Sequence, residues 1–299
     1  MTKVRRPLKP RYTSSQIQFV HDLIMPIEEY YSFRFDIPFC FELKSRKGSL
    51  YYFGTGHFTD PANPLFKTIV DTFHLFKPDY VLVESKQKLY TEISSQDRNS
   101  FRDSYASISP QEALKMAEAN LAIKLAQLAL VEVESPEPTL CDIFQHLGDA
   151  GFSPDDIAAY YLLRAASNYP LYQKLMSFDE FIDYRVRQLE EEWPYDSSLL
   201  TWQHAWLHGI NFWGETTVND PEALKARLSP VLLKNDSLTS VLSDIAASAS
   251  VFVDVYVTLR IGELVGSGQR VFTLYGASHA VRQERAVRTL LNSSEPGTA

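Results

Sequence analysis

Cysteine is nearly absent: Cys40 and Cys141 are the only two in 299 residues, and neither stands in a C-x-x-C or zinc-finger spacing. That excludes a disulfide framework and fits a reducing compartment with two buried apolar thiols. Long apolar runs are missing too. The most apolar window, residues 246–257, is broken by Asp254 and falls short of a membrane span. The first residues lack the apolar core of a signal peptide. Positive charge is in deficit, with a formal net charge of -8, which argues against a general nucleic-acid surface. The short basic start, residues 3–11, reads as a solvated arm. There is no G-x-S-x-G elbow and no Walker lysine-serine pair, and Gly54-Thr55-Gly56 lacks the third glycine of a dinucleotide fingerprint. These absences lead to the expectation of a soluble, cytoplasmic protein with neither a membrane nor a nucleic-acid partner.

What the chain does have is a pair of similar strings behind apolar runs. Gly54-Thr55-Gly56-His57 follows Leu50-Tyr51-Tyr52-Phe53, and Gly276-Ala277-Ser278-His279 follows Val271-Phe272-Thr273-Leu274-Tyr275. Each places a histidine one turn past a strand end. A third run, Tyr80-Val81-Leu82-Val83, ends in Glu84. In an open α/β sheet the carboxyl ends of parallel strands line the crevice where ligands bind, and glycine turns there allow close approach. Two histidines and a carboxylate at equivalent places predict one site divided along the sequence.

The hydrophobic fraction of 45% supports a large core. Residues 38–43 and 49–53 flank a polar loop and predict an antiparallel hairpin. Asn63-Pro64 opens a helix to Phe76, and Pro78 precedes the strand ending at Glu84, so residues 49–84 read as a right-handed βαβ unit. Such a unit can bring His57 and Glu84 close together. Ser109-Pro110 caps a long helix to about Ala129, with a strand over residues 130–133. Helices then start at Ser153-Pro154 and near Phe178, and a Trp-rich stretch, residues 202–213, packs against the second of these. A short helix opens at Asp220-Pro221, residues 238–264 form one long helix or two joined segments, and residues 270–275 form the last strand. A helix over residues 281–291 ends the fold before a polar tail, residues 292–299. The expectation is an α/β fold with a mainly parallel central sheet flanked by helices. Residues 1–139 and 241–299 form its core, and residues 140–240 are a helical insertion or cap.

These residues resemble the Tiki/TraB superfamily, which takes in GumN-like, ChaN-like and erythromycin-esterase-like proteins. The resemblance is carried by the two G-x-x-H strings, the strand-terminal Glu84 and the long helical middle, and is strongest over residues 53–84 and 251–291. It implies an α/β core with helical additions. For members described as metal-dependent proteases it implies essential roles for His57, Glu84 and His279. Esterase-like relatives, thought to use such a histidine as a metal-free general base, carry glutamate where this chain has Gly54. Many members also have an Arg-Asn or Arg-Asp pair ahead of the last strand. Here the matching pair is Val253-Asp254, and Arg260 is the nearest arginine.

Two imidazoles and a carboxylate suit Zn²⁺, Mn²⁺ or Co²⁺ with a position left for water, which the metal would make nucleophilic. Without metal, a histidine could take a proton from water while Glu84 orients it. The same residues could instead only end strands and hydrogen-bond to loops. Asp60 is a further ligand or base, or simply turn chemistry; Glu137, in a proline-flanked turn, stands similarly. His204 and His208 are four apart without the glutamate of a zinc-protease helix, and packing among tryptophans describes them better. His21, His74 and His146 receive no role. The expected activity is hydrolysis of an amide or ester in a peptide or small molecule. The alternative is a ligand-binding or haem-binding protein on the same scaffold, and the oligomeric state stays open.

Overall fold

The computed structural model describes residues 11–56, 58, 60, 62–84, 118–229 and 240–293. His57, the start of the basic arm, the Ser109-Pro110 helix start and the last six residues of the tail lie outside the described residues. The chain divides into two compact units, one made of Tyr12–Glu137 and Val253–Ala299, the other holding Pro138–Phe252.

The first unit is α/β. Its elements are α1 (Ser14–His21), α2 (Ile27–Ser32), β1 (Phe39–Lys44), β2 (Ser49–Thr55), α3 (Pro64–Phe76), β3 (Tyr80–Val83), α4 (Glu118–Leu128) and β4 (Glu132–Glu134). The expected hairpin forms, with β1 antiparallel to β2 and Phe39 opposite Gly54. Asn63 accepts a hydrogen bond from the Leu65 N–H at 2.9 Å, so a side-chain cap and a proline start α3, and Lys77 ends it in the left-handed region. The strand expected over residues 130–133 begins instead at Glu132. Leu130 before it is left-handed, with φ 58°, which breaks extended geometry.

The second unit is helical: α5 (Leu140–Asp149), α6 (Pro154–Ala166), α7 (Phe178–Glu190), α8 (Trp202–Trp213), α9 (Glu215–Val218) and α10 (Pro221–Leu228). Thr139, Ser153 and Ser177 cap α5, α6 and α7 with their hydroxyls. Phe144 meets Tyr161 and Trp193 edge-on, each at 4.9 Å.

One helix, α11 (Val241–Gly266), is continuous through 26 residues and is long and apolar enough to cross a membrane, which corrects the expectation that no such stretch exists. In this fold 61% of its apolar window is buried. Asp254 does not interrupt it, because the carboxylate is buried and ion-paired. The chain closes with β5 (Arg270–Gly276) and α12 (Ala277–Ser293).

The sheet has the order β1-β2-β5-β3-β4, with β5 parallel to both β2 and β3. The expected βαβ unit forms, since β2 and β3 run parallel and are joined by α3, and the last strand in sequence lies between them. Alternation decides what each face covers. Phe53, Val81, Val83, Phe272 and Leu274 pack with α3 and α4, while Tyr52, Leu82, Val271 and Tyr275 pack with the second half of α11 and with α12. A sheet covered on both faces explains why its strands read as near-continuous apolar runs.

Gly54 holds this arrangement closed on the α12 side. A Cβ there would stand 2.6 Å from the Phe39 carbonyl oxygen and 2.8 Å from the Ala280 Cβ. The glycine is needed so that β1 and the first turns of α12 can approach β2, and a glutamate has no room in this backbone. Gly54→Ala is expected to lower unfolding stability by about 1–3 kcal/mol through overpacking. Urea denaturation checks this, and an unchanged midpoint would mean that the contact relaxes freely.

Candidate active site

The carboxyl edge of the parallel strands gathers charged side chains within the first unit. Beyond β3, the Glu84 N–H continues the ladder by donating to the Leu274 carbonyl at 3.0 Å. The Glu84 Oε2 accepts from the Gly276 N–H at 2.6 Å, where β5 gives way to α12. A carboxylate at a helix N-terminus meets free N–H groups and the positive end of the helix dipole. The final helix starts at Ala277, not at 281 as the sequence suggested, so His279 belongs to its first turn and not to a loop.

The Nδ1 of His279 lies 2.5 Å from Asp254 Oδ1, and its Nε2 lies 3.8 Å from Glu84 Oε1. Asp254, from the middle of α11, is fully buried, while the His279 side chain keeps 19% of its exposure and Glu84 keeps 28%. Asp254 Oδ1 also accepts from Gln283 Nε2 at 2.7 Å, and Arg282 Nη1 lies 2.9 Å from Oδ2. Tyr52 donates its hydroxyl to Gln283 Oε1 at 3.0 Å. One carboxylate thus holds one face of α12, since positions 282 and 283 each lie about one turn after 279.

Charge sets the protonation of this cluster. Burial alone would push His279 down, but the Asp254 and Glu84 carboxylates outweigh it and raise the imidazole to about 9. Burial would likewise raise Asp254, yet Arg282 and His279 hold it below the usual carboxylate value. The Tyr52 phenol is driven up by burial and by the charges of Asp254 and Glu84. Tyr275, whose ring meets His279 edge-on at 6.0 Å, is raised by burial and then by Glu137 and Glu84.

The remaining expected residues fall in different places. Glu137 lies close enough to act electrostatically on Tyr275. Asp60 is exposed and accepts from the Ala62 N–H at 3.0 Å, as turn chemistry does. Arg260 is committed to Glu134 and Glu263 and lies over the Tyr80 ring. The cation on Asp254 is Arg282 instead. Sequence reasoning missed Arg282 and Gln283, although their spacing from His279 was a usable signal. In the second unit, His208 Nε2 lies 2.7 Å from Asp156 Oδ1 and His204 Nε2 lies 3.6 Å from Asp155 Oδ1, so acids and not only tryptophans surround this pair. Both cysteines are half-buried and not fully buried as expected, and burial raises the Cys40 thiol to about 11.

As metal donors, His279 Nε2 and Glu84 Oε1 have the right chemistry, and two bonds of about 2.0–2.2 Å can span their 3.8 Å separation. A carboxylate on the other ring nitrogen is the usual support of a ligating histidine. Among the described residues no group of three His, Cys, Asp or Glu side chains is gathered tightly enough to hold a metal ion. The third expected ligand, His57, is outside them.

Because the folded protein holds the His279 proton more tightly than an unfolded chain, this stabilisation is complete below about pH 6.5. It is lost as pH rises through about 9. Wild-type stability should fall by on the order of 3 kcal/mol across that window relative to His279→Gln. Urea unfolding at several pH values checks the sign, and parallel profiles would contradict it.

Comparison with known protein families, with curated proteins and with solved structures finds no match to this chain.

Proposed function

We propose that this chain is a hydrolase of the Tiki/TraB kind that cleaves an amide or ester bond by activating water between His279 and Glu84. The observation that carries the proposal is the Asp254–His279 contact of 2.5 Å, which occupies Nδ1 and leaves Nε2 facing a second carboxylate. Nothing in ordinary strand capping calls for a buried acid behind a histidine. Glu84, fixed by the Gly276 N–H, is the acceptor for the water proton. The positive charge of His279 stabilises negative charge developing on the substrate.

His279 and Glu84, with His57 as third ligand, would hold a Zn²⁺, Mn²⁺ or Co²⁺ ion. Such an ion supplies a lowered pKa for water and polarises the scissile carbonyl. Ligation requires His279 to give up its Nε2 proton, so loading should strengthen as pH rises. The elevated proton affinity of His279 favours a second, metal-free route. There Glu84 serves as base, and His279, protonated on both nitrogens, donates from Nε2 to the leaving group.

Hydrolysis of p-nitrophenyl esters and chromogenic peptides, with added Mn²⁺, Co²⁺ or Zn²⁺ and with chelator, tests the proposal. Wild type should turn over at least one class, and His279→Ala or Glu84→Gln should cost at least about a hundredfold in kcat/KM. Abolition by chelator selects the metal-dependent route and indifference to it the metal-free one. Activity that survives both substitutions would overturn the assignment.

A further inference from the structure

We propose that Arg282 and Gln283 are positioning residues that set the direction of the His279 ring, with Nδ1 toward Asp254 and Nε2 toward Glu84, by holding Asp254 as an anionic acceptor. This rests on the hydrolase proposal only for its effect on turnover.

The argument begins with the Asp254 carboxylate, which is fully buried. A buried carboxylate is costly unless it is paired and hydrogen-bonded. From a single turn of α12, His279 Nδ1 lies 2.5 Å and Gln283 Nε2 2.7 Å from its Oδ1, and Arg282 Nη1 forms an ion pair with its Oδ2 at 2.9 Å.

The direction of every bond in this set can be assigned. The Asp254 carboxylate can only accept, so the Gln283 amide turns its NH₂ toward it and its Oε1 receives the Tyr52 hydroxyl at 3.0 Å. Arg282 has only donors. Its side chain, 1% exposed, is held on both sides, with Nε donating to the Met25 carbonyl at 3.3 Å and Nη1 facing Asp254. With Arg282 ion-paired to Oδ2 and Gln283 donating to Oδ1, Asp254 is held as an anion, which can only accept. The Nδ1 of His279 must then carry a proton, and Nε2 is the nitrogen presented to Glu84 and to substrate. A lysine at 282 keeps the charge but cannot span Met25 and Asp254 together, which separates positioning from simple neutralisation.

The test uses full-length protein labelled with ¹⁵N-histidine. Wild type should show a downfield Nδ1–H resonance, slow to exchange with water and absent in His279→Gln. In Arg282→Lys and Gln283→Leu the resonance should broaden or vanish. Their kcat on the best ester or peptide substrate should fall about 10–100-fold with KM little changed. Thermal melts show whether each variant is folded, and if Arg282→Lys is not, Gln283→Leu decides. Folded variants that retain the resonance and the kcat, or a wild type without the resonance, would overturn the proposal. If no substrate is turned over the hydrolase proposal fails, while the resonance still decides this one.

Discussion

Burial of Asp254 is the constraint on which the rest of the structure depends. A carboxylate in the middle of an apolar, largely buried helix needs an opposite charge and hydrogen-bond donors, and α12 supplies Arg282 as the charge and His279 and Gln283 as partners of Oδ1. To do so, α12 must run close along the sheet. Its first turns therefore press on β2 at Gly54, where no side chain fits. The same contacts hold His279 in the first helical turn, with one ring nitrogen occupied and the other turned toward the strand edge. Packing, charge and the direction of the imidazole are one problem with one solution.

Topology supplies the second carboxylate. Since β5 is inserted between β2 and β3, the end of the last strand is flanked by the ends of both earlier ones. Glu84 continues the β3 ladder onto β5 and receives the Gly276 N–H, so it is fixed by backbone on both sides. A histidine between a buried and a half-buried carboxylate has a raised proton affinity, which is the kind of perturbation that accompanies acid–base chemistry.

Local features were legible in the sequence. The hairpin around Ser45–Gly48, the Asn63-Pro64 and Ser153-Pro154 helix starts, and the apolar runs that became β2, β3 and β5 follow from capping, turn chemistry and periodicity. Glu84 and His279 could be singled out by their places after two strands, and they lie 3.8 Å apart. The strand order could not be read, because pairing between residues 49–55 and 270–276 is set by long-range packing. Arg282 escaped notice because an arginine on a mixed-charge helix reads as solvated, although here it is among the largest fully buried side chains. Asp254 misled for the opposite reason: it was read as breaking an apolar window, when it is the point at which that helix is fastened.

The most direct measurement is an anomalous-difference map from crystals grown with Zn²⁺ and, separately, with Mn²⁺. The account predicts a peak within bonding distance of both His279 Nε2 and Glu84, with Nδ1 still on Asp254 and Arg282 still on its second oxygen. A map in which Nε2 faces Asp254 and the ring is turned from Glu84 would contradict it, and one with the ring in place but no peak would exclude the metal-dependent route.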